Sequence, residues 1–290
     1  MTMDITLEAP GRPGAGSGPG PAAKVAAGAN RGASYLVASG QVAVRTLKQF
    51  VRTPALIIAG TAQGALFLLI FRYVFGGAVG HTGALNYVNF LVPGFVVTGV
   101  LFQGMGASSG VAADLEGGLF DRLRSLPIRL LSIVTGRVGA DSALVAGGAF
   151  VMTVIGFAVG FRLGGTVAQG LAAFGLTVLF GFAFVWLFIT MGLVAGSPQA
   201  AQGLSFLVFP LSFVSSAYVP VSTMPGWMQG FASHQPMTYM VNTVRWLTGG
   251  PAAHQLLGHS LSYFLVPALL WSLGLVVVFA PLAVWKLKKS

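Results

Sequence analysis

GLAAFGLTVLFGFAFVWLFITMGLV, residues 170–194, decides the fold. It contains no Asp, Glu, Lys or Arg, and it sits inside a longer stretch, 163–244, that has none either. At about 1.5 Å per residue a helix of this run crosses the ~30 Å hydrocarbon core of a bilayer. A charged side chain at the centre of that core costs about 2.5–3.5 kcal/mol on insertion scales, which explains why the run excludes them.

Outward from this segment the pattern repeats. Apolar runs at 54–75, 88–110, 138–161, 204–219 and 261–285 give, with 170–194, about six predicted spans. The fifth is short for a membrane crossing, so a broken or re-entrant segment is expected after it. The whole composition agrees: 55% of the 290 residues are hydrophobic, 8% are charged, and the mean hydropathy is +0.81. A soluble domain carries roughly 25% charged residues, and so few charges do not keep a chain of this size dissolved. The fold class is therefore an all-α membrane protein.

Charge near the span ends sets the expected orientation. Arg45, Lys48 and Arg52, then Arg122, Arg124, Arg129 and Arg137, then Lys286, Lys288 and Lys289 fall on one side, against Arg72, Arg162 and Arg245 on the other. The crowded side is the cytoplasmic one, which places both termini in the cytoplasm; abundant Ala, Gly and Val with few Lys point to a GC-rich bacterial source, whose cytoplasmic membrane is the expected location. The net charge of +10 is thus juxtamembrane charge facing anionic lipid. It forms no basic stripe interleaved with aromatics, which argues against a nucleic-acid partner.

Four regions follow. Residues 1–33, rich in Gly, Pro and Ala, read as a disordered cytoplasmic tail. Residues 34–53 read as an amphipathic interfacial helix, with Leu36, Val37, Val44, Leu47, Phe50 and Val51 on one face and Gln41, Arg45, Lys48, Gln49 and Arg52 on the other. Residues 54–285 form the six-span domain, and 286–290 are a basic cytoplasmic end. Glycine pairs at Gly60/Gly64, Gly106/Gly110, Gly156/Gly160 and Gly192/Gly196 predict close helix approach. Pro93, Pro210 and Pro267 within spans predict kinks or breaks.

Enzyme signatures are absent. There is no G-x-x-x-x-G-K-[ST] phosphate loop, and GMGASSG at 104–110 has no strand before it. There is no cysteine. His81, His234, His254 and His259 fall in predicted external loops without metal-ligand spacing, so no metal site is expected. Asp141 is the acidic residue closest to membrane depth, and Arg137, four residues earlier, predicts an ion pair.

The informative loop is ADLEGGLFDRLRSLPIRLLSIVTGR, residues 113–137, where acidic and basic residues concentrate. As a helix it aligns Leu115, Leu119, Leu123 and Leu126, and Pro127 ends it. A surface helix with mixed charge facing the cytosol suits a docking partner, although the same pattern also fits a simply solvated loop helix.

DRLRSLPIRLLSIVTGR resembles the cytoplasmic loop of type-2 ABC exporter permeases, specifically the daunorubicin-resistance type. FVSSAYVPVSTMPGWMQGFASHQPMTYMVNTVRWLTGG, residues 213–250, is similar to the outer segment of the same permeases. The resemblance implies a membrane subunit, not an enzyme. ATP and magnesium act on a separate ABC ATPase subunit, usually in two copies, and no cofactor sits on this chain. A second permease copy makes a homodimer. Glu116, Asp121, Arg122, Arg124, Ser125, Leu126 and Pro127 are the residues it assigns to a coupling helix seated in the ATPase.

The outer segment, divided by Pro220, Pro225 and Pro236 and carrying Trp227 and Phe231, reads as short helices re-entering the outer leaflet. With Arg245 these residues form a candidate outer gate; the alternative is interfacial Trp/Tyr anchoring without gating. The function expected is ATP-driven export of hydrophobic or amphipathic compounds, such as drugs, antibiotics or lipid-like molecules. A polysaccharide or lipid exporter of the same superfamily is the nearest alternative, ahead of a secondary transporter and a membrane-embedded enzyme.

Overall fold

The computed structural model describes residues 39–41, 43, 44, 48, 54–76, 85–120 and 130–289. They belong to one compact unit, Ser34–Ser290, and every regular element among them is helical. Of the predicted interfacial helix, residues 39–41, 43, 44 and 48 are described, and all are helical. The tail 1–33 lies outside the described residues.

Nine α-helices follow from residue 54 onward among the described residues. They are α1 (Pro54–Ile70), α2 (Tyr87–Glu116), α3 (Leu130–Val159), α4 (Val167–Ala195), α5 (Pro198–Phe206), α6 (Pro210–Phe213), α7 (Gly226–His234), α8 (Pro236–Leu257) and α9 (Leu261–Lys289). A π-helical turn, Phe71–Phe75, extends α1, and a 3₁₀ turn, Val221–Thr223, precedes α7. Helices α2, α3, α4 and α9 are long and apolar enough to cross a membrane, and Thr61–Val74 is a shorter apolar helix.

Local chemistry sets the boundaries. Asn86 caps α2 by accepting a hydrogen bond from Val88 N at 3.1 Å. Thr166 and Gln169 form a capping box at the start of α4. Gly196, left-handed at φ 77°, ends α4, and Ser197 with Pro198 at once starts α5.

Helices α2 and α4 occupy the centre, packed on each other and on α3, α5, α8 and α9. Phe90, Phe95, Leu101, Phe188 and Ile189 are fully buried there. Helices α3 and α9 lie outside and expose apolar side chains, among them Phe150, Val154, Leu270, Leu273 and Val277. In water such a surface is an aggregation hazard; in lipid it is the normal outer face of a bundle.

The predicted fifth span is broken. Leu207 N, Val208 N and Phe209 N donate to carbonyls three residues back, and α6 starts after the break at Pro210. Pro210 has no N–H to continue an α-helical ladder, so the chain tightens into 3₁₀ geometry instead. The broken pair still climbs along α2. Ser108 Oγ lies 3.4 Å from Ala201 O, the Phe102 and Phe209 rings meet at 4.9 Å, and Ala217 O sits against Gly94. From Ser108 to Gly94 is about 21 Å of α2 axis.

The glycine pairs are not alike: an added Cβ on Gly106 meets nothing within 4 Å, and one on Gly64 makes only ordinary contact with Met152 at 3.6 Å. A Cβ on Gly192 meets Ser108 O at 2.3 Å, and one on Gly156 meets Val92 Cγ1 at 2.5 Å, so these hold close helix contacts. Gly160 and Gly196 instead terminate helices with positive φ and have nothing within 4 Å.

Candidate functional site

The candidate coupling loop is bracketed by α2 and α3. Helix α2 stops at Glu116, where Gly117 N donates to Ala113 O at 2.9 Å and Gly118 turns left-handed. Glu116 is exposed, Leu115 packs against the core, and Phe120 is buried. The chain is thus held to the bundle on both sides of the turn. Asp121, Arg122, Arg124, Ser125, Leu126 and Pro127 lie outside the described residues.

Two turns into α3 the expected ion pair forms, with Arg137 Nε donating to Asp141 Oδ2 at 2.8 Å. Sequence spacing did not show the third member: Arg137 Nη1 also pairs with Asp114 of α2. The guanidinium therefore bridges the two helices that carry the loop. Arg137 and Asp141 are buried at 6% and 2% exposure. Space for the arginine comes from Gly110, where a Cβ stands 2.5 Å from Arg137 Nη2.

At the opposite end of α2 lies the proline-divided segment. Pro220 precedes the 3₁₀ turn, Pro225 precedes α7, and Pro236 occupies the first turn of α8. Each proline fixes φ where a helix begins and its missing N–H costs nothing. Trp227 and Phe231 of α7 are 82% and 56% exposed. The segment is tied to α6 by Gln235 Nε2, which donates to Leu211 O and Val214 O at 3.0 and 3.1 Å. Helix α8 is kinked at Gly250, whose φ of 61° and 2.2 Å Cβ clearance to Gly164 O admit only glycine.

Arg245 is the outer-side charge expected in the candidate gate. It is fully buried. Its Nη2 donates to Phe90 O at 3.0 Å and Ser216 O at 2.8 Å, its Nε to Phe90 O at 3.2 Å, and its Nη1 to Asn242 Oδ1 at 2.7 Å. The guanidinium also lies 3.7 Å from the Phe90 ring centroid. Arg245 thereby staples α8 to the first turns of α2 and to the chain after α6. Asn242 and Ser216, which hydrogen-bond each other at 2.8 Å, carried no motif that announced them.

Among the described residues, two of the histidines expected in external loops are helical. His234 and His254 lie in α7 and α8, and His254 stacks on Trp246 at 3.9 Å. His259 stacks on Tyr263 at 4.0 Å, and His81 lies outside the described residues. No cluster suited to a metal ion occurs among the described residues.

Comparison with known proteins places this architecture. Residues 40–248 match the family described as ABC-2 type transporter. The chain is similar to the daunorubicin resistance ABC transporter permease protein DrrB1 of Streptomyces coeruleorubidus, 32% identical over 239 residues, which cover 82% of this chain and 81% of that one. It is 28% identical to the probable doxorubicin resistance ABC transporter permease protein DrrC of Mycobacterium tuberculosis (strain ATCC 25618 / H37Rv) over 250 residues, 83% of this chain and 84% of that one. The inner membrane transport permease YadH of Escherichia coli (strain K12) is 26% identical over 227 residues, 73% and 83% of the two chains. The matched region includes the loop stems, the broken helix and the buried arginine, and the chain belongs to the ABC-2 type transporter family.

Proposed function

We propose that this chain is the permease subunit of an ATP-driven exporter that moves hydrophobic or amphipathic compounds outward across the bacterial cytoplasmic membrane. Two copies form the path, and two separate ATPase subunits with ATP and magnesium drive it. The observation that carries this reading is the similarity, over four-fifths of the chain, to a permease named for daunorubicin resistance. In this reading the chain crosses six times, by α1, α2, α3, α4, the broken α5–α6 pair and α9, with both termini and the 117–129 loop in the cytoplasm; the four helices among the described residues long and apolar enough to cross a membrane, α2, α3, α4 and α9, support it.

The mechanism uses the loop as the point of entry for work. An ATPase that binds one conformation of the permease more tightly than the other shifts the balance between them. Glu116, Asp121, Arg122, Arg124, Ser125, Leu126 and Pro127 form the docking face. Arg137 transmits its displacement, because it links Asp114 below the loop on α2 with α3 on the far side. Trp227 and Phe231 on α7, with Pro220, Pro225, Pro236 and the Arg245 staple, frame the exit at the outer leaflet.

The test is a mild-detergent purification from the native membrane, with subunits identified by mass spectrometry and efflux of an anthracycline followed in vesicles. Stoichiometric recovery of an ATPase subunit and ATP-dependent efflux are expected. A chain that purifies alone and moves substrate on a proton gradient without nucleotide refutes the exporter reading. ATP-driven flipping of lipid with no drug efflux moves the cargo to the lipid-exporter alternative.

A further inference from the structure

A cavity of about 240 Å³ opens beside the arginine staple, lined by Arg245, Asn242, His259, Tyr263, Ser216 and Leu257 among others. We infer that this cavity is a binding site for a phosphate oxyanion, supplied by a phospholipid headgroup or by free phosphate. It belongs to the single chain, and it follows from charge and donor placement whatever the exporter's cargo is.

The first ground is an uncompensated charge. Arg245 is fully buried, and all its hydrogen-bond partners among the described residues are neutral oxygens: Phe90 O, Ser216 O and Oγ, Ala217 O and Asn242 Oδ1. Carbonyl dipoles satisfy its N–H groups but leave a full positive charge in a low-dielectric surrounding. Of the six acidic residues, Asp114, Glu116, Asp121 and Asp141 belong to the loop and its stems, and Asp4 and Glu8 to the tail. None of the described ones touches Arg245. A buried cation is normally paired, and here the wall beside it faces an open cavity.

The second ground is a set of unspent donors around that cavity. Asn242 Oδ1 accepts from both Arg245 and Ser216, which fixes the amide and turns its NH₂ away from the guanidinium. Among the described residues neither that NH₂, the Tyr263 hydroxyl nor the His259 ring has a hydrogen-bond partner, and all three residues line the cavity. Arg245 supplies the field while these groups supply the direct bonds, because its own donors are already engaged. The size suits a headgroup better than a drug-sized molecule, whose pockets run to about 300–1,000 Å³.

The third ground is depth. Helix α2 has 30 residues and is about 45 Å long, matching a bilayer with its headgroups. Phe90, which Arg245 grips, is in its first turn, about 5 Å from the helix start. That level is the headgroup zone, where phosphates are.

Asn242→Asp is the decisive variant, since it keeps the shape and places a carboxylate on Arg245, neutralising the charge. Full-length wild-type and N242D chains in mild detergent are exchanged with phosphatidylglycerol, with diacylglycerol or with inorganic phosphate, and bound molecules are counted by native mass spectrometry. Wild type is expected to retain phosphatidylglycerol over diacylglycerol, and N242D to lose at least about tenfold of that retention. Retention of phosphatidylglycerol alone identifies a lipid as the source; retention of inorganic phosphate with the same N242D sensitivity identifies the free anion. Equal retention by N242D, or no preference of the wild type for either phosphate compound, overturns the assignment. Tyr263→Phe, which removes one hydroxyl from a half-exposed ring, gives the same reading if N242D fails to fold: unchanged retention counts against the site.

Discussion

Arg137→Met tests the bridge between the loop stems most sharply. Asp141 is 2% exposed, and its Oδ2 is bound to Arg137 Nε, while its Oδ1 has no hydrogen-bond partner among the described residues. Removing the guanidinium leaves this buried carboxylate without its one described partner. Breaking a buried ion pair from one side costs about 3–5 kcal/mol, because the surviving charge keeps its desolvation penalty. Methionine fills most of the vacated volume, so little of that cost is cavity. The double variant Arg137→Met/Asp141→Asn removes the stranded charge as well and is expected to recover all but about 1–2 kcal/mol, the cost of a neutral polar group left short of partners. Thermal denaturation of the purified chain in mild detergent reads both differences. Transport per ATP hydrolysed in the assembled exporter reads the mechanical role and is expected to stay low in the double variant, since the link from α2 to α3 is still missing. A single variant as stable as wild type, or a double variant no better than the single, refutes the electrostatic account. A double variant with normal coupling refutes the transmission role.

Three further outcomes are expected. Glu116→Arg reverses an exposed charge, so stability should stay within about 0.5 kcal/mol while co-purification of the ATPase subunit falls; undiminished co-purification removes Glu116 from the docking face. Gly94→Ala brings a Cβ to 2.1 Å from Ala217 O and 2.8 Å from its carbonyl carbon. Backbone cannot swing aside as a side chain does, so a loss of about 1–3 kcal/mol is expected by thermal melting, and a neutral result contradicts the contact between α2 and the chain after α6. Trp227→Ala removes an 82% exposed ring; folding should be unaffected and substrate release slowed, and normal efflux leaves the ring an anchoring role only.

What was legible in the sequence was whatever each residue expresses alone. Charge exclusion over 163–244 locates α4 because lipid rejects a charge wherever the chain places it. Pro210 announced a break for a similar reason: the missing N–H travels with the residue. Pairwise facts were less accessible. Arg137 and Asp141 share a helix face four residues apart, so their pairing was visible, whereas Asp114 is 23 positions from Arg137 and joins it only when α2 and α3 pack. The burial of Arg245 was not visible because counting charges near span ends says nothing of packing, and its principal acceptor, Phe90 O, lies 155 positions away. Most of the assigned docking residues, 121–127, fall outside the described structure, so the loop rests on its stems and its family.

The arginine staple has a consequence for how this chain tolerates change. Phe90, Ser216 and Ala217 each offer Arg245 a main-chain carbonyl, and every amino acid carries the same one. Neighbouring side chains can therefore drift in identity with less risk of unfastening the joint, and Asn242, the Ser216 hydroxyl and the Phe90 ring give it side-chain character. The burden falls on one codon. Lysine keeps the charge but offers a single point of donation in place of a planar fork that reaches three main-chain carbonyls at once. A lineage carrying Arg245→Lys retains the electrostatics and loses the geometry, so substitutions at 245 should be purged far more strictly than those at the positions it grips.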